Sequence, residues 1–134
     1  MSDSDALLAI GKSTMTHESK MVQDAADRLD STFAEVVQVL AQTRGKVVIS
    51  GLGKSGHIGR KIVASLCSGG TPAVFLHPSE AVHGDLGILV PGDPCVVLSK
   101  SGSTRELLDL VPLLKQMQST VIALVGNTQS ELAR

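Results

Sequence analysis

The sequence predicts a parallel α/β fold, and two observations carry this prediction. Before residue 47, apolar residues recur at helical spacing with charged residues between them, which indicates one or two amphipathic helices. From Val47 onward, short β-branched runs alternate with Gly- or Ser-rich turns and helical stretches, as in βαβ units. We therefore expect a parallel sheet with helices on both faces.

The element order follows from the same pattern. Strands are predicted at Val47–Ser50, Ala73–Leu76, Cys95–Leu98 and Val121–Val125, and helices at His57–Cys67 and Arg105–Gln116. Pro112 lacks an N–H group and should kink the last helix or make its first turns irregular. In the stretch from Met1 to Thr43 the helical spacing is carried by Leu29, Phe33, Val36, Val37 and Leu40. We assign residues 1–46 to N-terminal helices and 47–134 to the βαβ core of one domain.

Composition excludes several classes of protein. The chain of 134 residues carries 12 Lys and Arg against 13 Asp and Glu, so a net charge of −1 provides no field that attracts nucleic acid or anionic lipid. Phe33 and Phe75 are the only aromatic residues, too few to stack bases. We expect no nucleic-acid or membrane partner.

The cysteines and the N-terminus suggest a location in the cell. Cys67 and Cys95 have neither zinc-knuckle spacing nor disulfide-scaffold density, so we expect buried thiols in a reducing compartment. Met1 to Asp5 is acidic and polar, unlike a secretory signal, and no apolar run reaches membrane-spanning length. These features predict a cytoplasmic protein.

A glycine-rich loop follows the first predicted strand. The segment from Gly51 to Gly56 reads Gly-Leu-Gly-Lys-Ser-Gly and matches the dinucleotide fingerprint, but His77 follows the second strand where that fingerprint requires an acid. A P-loop would need glycine at Val48. The loop still offers Lys54, Ser55 and helix-start N–H groups, a combination suited to an anion. Alternatively, its glycines only form a tight turn.

A second candidate anion site follows the third strand. Residues 99–104, Ser-Lys-Ser-Gly-Ser-Thr, present four hydroxyl groups, on Ser99, Ser101, Ser103 and Thr104, immediately before a helix. Hydroxyls donate hydrogen bonds to phosphate oxygens, and the helix dipole adds about half a positive charge. The alternative is ordinary helix capping, which needs one hydroxyl only.

The segment from His77 to Gly87 is rich in titratable groups. Imidazole titrates near neutral pH and suits proton transfer, so we select His83 and Glu80, and then His77, as candidates. Each could instead be a solvated loop residue. The spacing matches no compact zinc pattern, and we expect no metal.

Together these segments resemble the arabinose-5-phosphate isomerase family. The glycine-rich loop, the His77–Gly87 segment and the run from Ser99 to Glu106 occur in the family's order, whereas the serine run alone would indicate only the wider sugar isomerase (SIS) domain superfamily. The resemblance extends from the N-terminal helices to Arg134.

The resemblance implies a flavodoxin-like sheet, no cofactor, oligomeric active sites, and interconversion of ribulose 5-phosphate and arabinose 5-phosphate for octulosonate synthesis. It places catalysis on Lys54, His83 and Glu106, and phosphate binding on Ser55, Ser99, Ser101 and Thr104. Further pocket candidates are Gly53, His77, Glu80, Lys100 and Ser103. Lys100 stands where relatives often have Asn or Gln.

Proton transfer between adjacent sugar carbons passes through an enediolate, for which these residue types can supply a base (Glu106), a proton shuttle (His83) and a cation (Lys54). Glu106 could instead complement the helix dipole, and Lys54 could pair with the phosphate.

Complete domains of the family continue through a fifth strand, another catalytic histidine and a C-terminal helix, and often carry two CBS domains. We expect a chain that stops before the end of the domain, either a fragment or a natural short form. Its sheet edge and N-terminal helices would then favour self-association. Two other functions stay open: a non-catalytic phosphosugar-binding SIS module, and an isomerase of another phosphosugar.

Overall fold

The computed structural model describes residues 3–134, so Met1 and Ser2 of the acidic N-terminus lie outside the described residues. The chain divides into two compact units between Val37 and Gln38. The first holds helix α1 (Asp3–Ala26) and the start of helix α2 (Ser31–Ala41). Two helices were within the prediction for this stretch. The Asp30 carboxylate accepts a hydrogen bond of 2.9 Å from the Thr32 N–H and so satisfies a free donor at the start of α2.

The second unit contains a four-stranded parallel sheet. Its strands are β1 (Val47–Gly51), β2 (Ala73–Leu76), β3 (Cys95–Ser99) and β4 (Val121–Val125), in the spatial order β2-β1-β3-β4. This order equals the first four strands of the flavodoxin-like arrangement. The predicted parallel α/β fold is confirmed. Each predicted strand begins at the observed first residue and ends within one residue of the observed last residue.

Helices cover both faces of the two central strands. On one face, Val47, Ile49 and Leu98 pack with residues of α3 (Gly53–Ser68) and with Leu40. On the other face, a larger cluster joins β1, β2 and β3 to α5 (Arg105–Gln116), and its buried members are Val48, Leu76, Ala81, Leu89, Cys95, Val97, Leu107, Leu110 and Leu114. The alternation of successive strand residues between the two clusters follows from the pleat.

The structure differs from the sequence-based expectations, or adds to them, at four places. Helix α3 begins at Gly53, four residues before the predicted His57, because the glycine loop is itself the first helical turn. Arg105–Gln116 is helical throughout with Pro112 inside it, so the expected irregular first turns are wrong. The His77–Gly87 segment holds a short helix, α4 (Pro78–Ala81), and a 3₁₀ turn over Asp85–Ile88. Cys67 is exposed, whereas Cys95 is buried as predicted.

The amino ends of three strands are tied together around Asp93. Its carboxylate accepts hydrogen bonds from the Lys46 backbone (3.0 Å), the Lys46 ammonium (2.7 Å) and the Val90 N–H (3.0 Å), and Ser119 donates to its carbonyl at 2.7 Å. Lys46, Asp93 and Ser119 lie just before β1, β3 and β4. These polar bonds link the amino ends of the strands. The loops that follow the strands lie at the opposite, carboxyl ends. No helix between residues 3 and 134 is long and apolar enough to cross a bilayer.

Candidate functional site

A cleft lies at the carboxyl ends of the central strands β1 and β3. Helix α3 leaves β1 toward one face of the sheet and α5 leaves β3 toward the other, so the two loops diverge and leave a crevice. Two adjoining hollows of about 360 and 380 Å³ open there and share Ser55, Leu98, Ser99 and Lys100. Their other lining residues are Leu52, Lys54, Ile58, Ser101, Thr104, Leu124, Val125 and Gly126. We call these two hollows the cleft, and residues 99–104 the serine loop.

The serine loop is folded by its own hydroxyl groups. Ser99 Oγ lies 2.9 Å from Thr104 Oγ1 and accepts the Gly102 N–H at 3.0 Å. Only one of the two hydroxyl protons bonds within that pair, so the other is available to a bound oxygen. Ser101 Oγ accepts the Ser103 N–H at 3.3 Å and likewise keeps its own proton free. The loop therefore offers hydrogen-bond donors without a formal charge.

The hydroxyl of Thr104 does not act as a helix cap, which was the alternative interpretation of the serine loop. Although Thr104 directly precedes α5, its hydroxyl makes no cap hydrogen bond among the described residues and pairs with Ser99 instead. Leu52, which precedes α3, has no side-chain acceptor. Both helices therefore begin with N–H groups that lack intrahelical partners, and their dipoles add positive potential beside the cleft.

Two lysines give the cleft its charge. Lys54 and Lys100 both line it, both are exposed, and neither has a hydrogen-bond or ion-pair partner within residues 3–134. The hydroxyl of Ser55, beside Lys54, also has no hydrogen-bond partner in this part of the chain. No Asp or Glu is among the described lining residues. The arrangement of two cations, free hydroxyls and helix starts suits an oxyanion such as a phosphate group.

The glycine loop has packing and conformational requirements of its own. A Cβ added at Gly56 would lie 2.7 Å from the Gly51 carbonyl oxygen, and one at Gly51 would lie 3.2 Å from the Ser55 backbone. Gly53 has a left-handed φ of 53°. The tight-turn interpretation thus explains these three glycines, whereas it assigns no role to Lys54 and Ser55.

The remaining predicted residues lie outside the cleft. Glu80, His83, Ser103 and Glu106 are exposed and are not among its lining residues. Gly53 and His77 line a separate hollow of about 230 Å³ together with Gly51, Gly56, His57, Arg60 and Phe75.

In that hollow the Arg60 guanidinium lies 4.1 Å from the centre of the Phe75 ring. The His77 Nδ1 atom is buried and has no hydrogen-bond partner in the described chain.

Of the residues predicted from the sequence, the cleft thus brings together Lys54, Lys100 and the four phosphate candidates. The residues proposed for proton transfer, His83 and Glu106, do not line it.

Sequence reasoning missed the contribution of β4. Leu124, Val125 and Gly126 form one wall of the cleft, and the buried Ser130 packs behind the serine loop. The signal was present, because Gly126 follows a strand of the same parallel sheet and all strands deliver their loops to one edge.

The described chain has no clustered metal site, and one of its two cysteines is deeply buried. No group of three His, Cys, Asp or Glu side chains within residues 3–134 could hold a metal ion. Burial raises the pKa of Cys95 to about 12, so its thiol is protonated and unreactive at neutral pH.

Comparisons with known proteins agree with this geometry. The chain is 43% identical to arabinose 5-phosphate isomerase KpsF of Escherichia coli O6:H1 over 96% of its own length and 39% of that protein. It is also 43% identical to arabinose 5-phosphate isomerase KdsD of Pseudomonas aeruginosa, over 90% of this chain and 37% of that one. The chain therefore spans about two fifths of the length of these relatives.

A solved structure of an E. coli CFT073 protein in complex with arabinose 5-phosphate superposes with a TM-score of 0.90 at 42% identity. The match covers 99% of this chain and 70% of the solved one. The family model described as SIS domain matches residues 39–134. These residues include the whole sheet and the cleft at its carboxyl edge, so the chain belongs to the SIS domain family.

Proposed function

We propose that this chain is the sugar-phosphate-binding part of an aldose–ketose isomerase that interconverts D-ribulose 5-phosphate and D-arabinose 5-phosphate. The observation that carries the proposal is the cleft, which Ser55, Ser99, Ser101 and Thr104 line together with two lysines that have no partner within residues 3–134. The names of the similar isomerases support the reaction, and the solved complex with arabinose 5-phosphate supports a phosphosugar ligand.

The proposed phosphate position is the cleft itself. A phosphate there would accept hydrogen bonds from the serine loop and from Ser55, at the start of two helix dipoles. Lys100 would add a cation to the otherwise neutral serine loop, and Lys54 would add a second one from the start of α3. A phosphate held there would anchor the sugar at the serine loop.

The proposed chemistry uses the three residues that the family resemblance selects. Glu106 would remove the proton from the carbon next to the carbonyl, His83 would move protons at the sugar oxygens, and Lys54 would stabilise the enediolate. Glu106 lies two residues beyond Thr104 in the first turn of α5, so the proposed base and the serine loop meet at the same helix start. His83 lies in the turn that follows α4.

The setting of the reaction is part of the proposal. We place the protein in the cytoplasm, where the free thiols Cys67 and Cys95 would stay reduced, and in octulosonate synthesis for surface polysaccharide. We also propose a homo-oligomer, because α1 exposes many apolar side chains, including Leu7, Leu8, Ile10, Met15, Met21 and Val22.

The test combines binding and turnover. Ribulose 5-phosphate is titrated by calorimetry, and its conversion to arabinose 5-phosphate is followed. Glu106→Gln should bind the sugar phosphate but turn it over about 100 to 10,000 times more slowly, because it removes proton-transfer capacity. Ser101→Ala with Thr104→Ala should weaken binding instead, since it removes two donors from the cleft.

The outcomes separate the possible functions and test the residues assigned to them. Binding without turnover by the unaltered protein would identify a non-catalytic phosphosugar module, and preferred turnover of another phosphosugar would change the substrate. If exchange of the C2 hydrogen with solvent continued at its original rate in Glu106→Gln, the base would be another residue. Unchanged affinity in the serine-loop variant would show that the phosphate binds elsewhere.

A further inference from the structure

The segment that follows β4 supports the serine loop from outside the cleft. We call residues 126–132 the brace. At one end, the Gly126 N–H donates to the carbonyls of Ser99 (3.3 Å) and Lys100 (3.2 Å). At the other end, the Leu132 N–H donates to the Gly102 carbonyl at 3.0 Å. Two backbone attachments thus join the loop to residues that are remote from it in sequence.

Between these attachments, the side chain of Ser130 lies directly against Gly102. A Cβ added at Gly102 would overlap both Oγ and Cβ of Ser130. Gly102 is buried and has a left-handed φ of 67°, a conformation that other residues rarely adopt. Ser130 therefore occupies the space that any other residue at position 102 would need.

The position of Gly102 controls a hydroxyl that lines the cleft. Its N–H donates to Ser99 Oγ at 3.0 Å, and Ser99 Oγ in turn pairs with Thr104 Oγ1. A shift of Gly102 would change this bond and, with it, the direction of the hydroxyl proton that is free for a ligand. The chain of contacts runs from Ser130 through Gly102 and Ser99 to the cleft.

The Ser130 hydroxyl makes no hydrogen bond of its own within residues 3–134. The residue is 7% exposed, and its Oγ is buried without a partner. A buried, unpaired hydroxyl does not stabilise a fold by hydrogen bonding. Its side chain does lie against Gly102, so packing is the role that the structure supports.

We propose that Ser130 is a positioning residue for phosphate binding: packed against Gly102 within the brace, it holds the serine loop in the conformation that presents Ser99 and Thr104 to the ligand. This inference rests on the proposed function, because it assumes that a phosphate group binds in the cleft. It predicts that phosphate affinity depends on a residue that lines neither hollow of the cleft.

A rescue experiment tests the contact. Inorganic phosphate and arabinose 5-phosphate are titrated into the protein by calorimetry, and melting is recorded for each variant. Gly102→Ala should weaken both affinities by about tenfold or more, the equivalent of one lost hydrogen bond. Gly102→Ala combined with Ser130→Gly should recover at least about threefold of this loss, because the overlapping side chain is removed.

A matched control separates overlap from backbone strain. Gly70 also has a left-handed φ, 86°, but an added Cβ there would have no neighbour within 4 Å. Gly70→Ala should therefore leave both affinities within about twofold of the original, while it carries a similar conformational penalty.

A second variant tests the contact if Gly102→Ala does not fold. Ser130→Val adds bulk against an unchanged Gly102, and it should weaken phosphate binding by about fivefold.

The outcomes distinguish the two proposals. If the unaltered protein binds neither ligand, the proposed function fails and this inference fails with it. If the unaltered protein binds both and the variants at 102 and 130 bind equally well, only the role of Ser130 is overturned. If the double variant binds phosphate no more tightly than Gly102→Ala does, the proposed role of the Ser130 contact is likewise overturned. Recovery of affinity without recovery of the melting temperature supports positioning rather than general stability.

Discussion

At the scale of single residues, Asp93 shows how one buried charge organises a sheet edge. Burial by itself raises the pKa of this carboxyl. Hydrogen bonds from the Lys46 ammonium and backbone and from the Val90 N–H, together with the Lys46 charge, outweigh that effect, so the pKa lies below its ordinary value. The side chain of Lys46 is only 23% exposed, which limits screening of the pair by solvent.

We expect Asp93→Asn to lower the free energy of unfolding by about 2 kcal/mol at neutral pH, because it leaves Lys46 without its charged partner. The folded-state pKa of Asp93 is depressed, so its contribution is full above the unfolded-state pKa, about 4, and is lost as pH falls through the folded-state pKa. Urea unfolding from pH 7 to pH 2 should show the two proteins converging at the acidic end.

The matched control is Asp109→Asn, which breaks the exposed ion pair with Arg105 on α5. Exposed pairs contribute about 0.5 kcal/mol or less, so this variant should unfold almost like the original protein. Equal losses in the two variants, or an Asp93→Asn effect that persists undiminished below the folded-state pKa, would contradict the role assigned to Asp93.

At the scale of elements, α3 depends on glycine where it approaches the sheet. Gly56 and Gly59 are the buried residues of this helix, and a Cβ at Gly59 would lie 3.0 Å from the Phe75 ring and 3.1 Å from Ile49. Small residues let the start of α3 sit close against β1, and this proximity brings Ser55 to the cleft. The glycines that resemble a dinucleotide fingerprint therefore serve close packing of α3 against the sheet in this chain.

We expect Gly56→Ala to destabilise the protein by about 1 to 3 kcal/mol, because the new methyl group would meet the backbone carbonyl of Gly51, which cannot move without disturbing β1. Urea unfolding measures the change. Gly11→Ala is the control, since Gly11 also lies inside a helix but has no atom within 4 Å of the added Cβ. That variant should keep or raise helix content, by the ordinary advantage of Ala over Gly. Unaltered stability in Gly56→Ala would show that the approach is looser than described.

At the scale of the whole molecule, helix α1 carries apolar side chains that are not buried in the folded chain. Within Asp3–Ala26 no residue is buried, and Leu7, Met15 and Val22 are 69%, 73% and 71% exposed. Apolar surface of this extent on a helix is typical of an interaction site. A second copy of the chain is the partner that we propose.

We expect the protein to sediment as an oligomer at micromolar concentration, and Leu8→Glu with Met15→Glu to shift it toward the monomer, because two charges would be buried in the interface. Ser13→Glu with Ser19→Glu adds the same charge to exposed polar positions of α1 and should leave the oligomer intact. A folded monomer in the unaltered protein would refute self-association. Equal dissociation by both variants would show that charge, and not apolar contact, governs it.

The amino-acid pattern was sufficient to predict the parallel α/β class, the four strands and the two segments that meet at the cleft. Runs such as Val47–Ser50 and Cys95–Leu98 are local signals of buried strands, and the parallel-sheet rule delivers the loops after β1 and β3 to one edge. The short helix Pro78–Ala81 escaped prediction because four residues are too few to show a helical period.

The contacts that hold those segments in place could not be predicted without the packed chain. The pairing of Thr104 with Ser99 instead of a helix cap, the packing of Ser130 against Gly102, and the wall formed by β4 all join residues that are distant in sequence or have two local uses. A sequence pattern records which groups are available, whereas the choice among their partners depends on which atoms the packed chain brings within hydrogen-bonding or van der Waals distance.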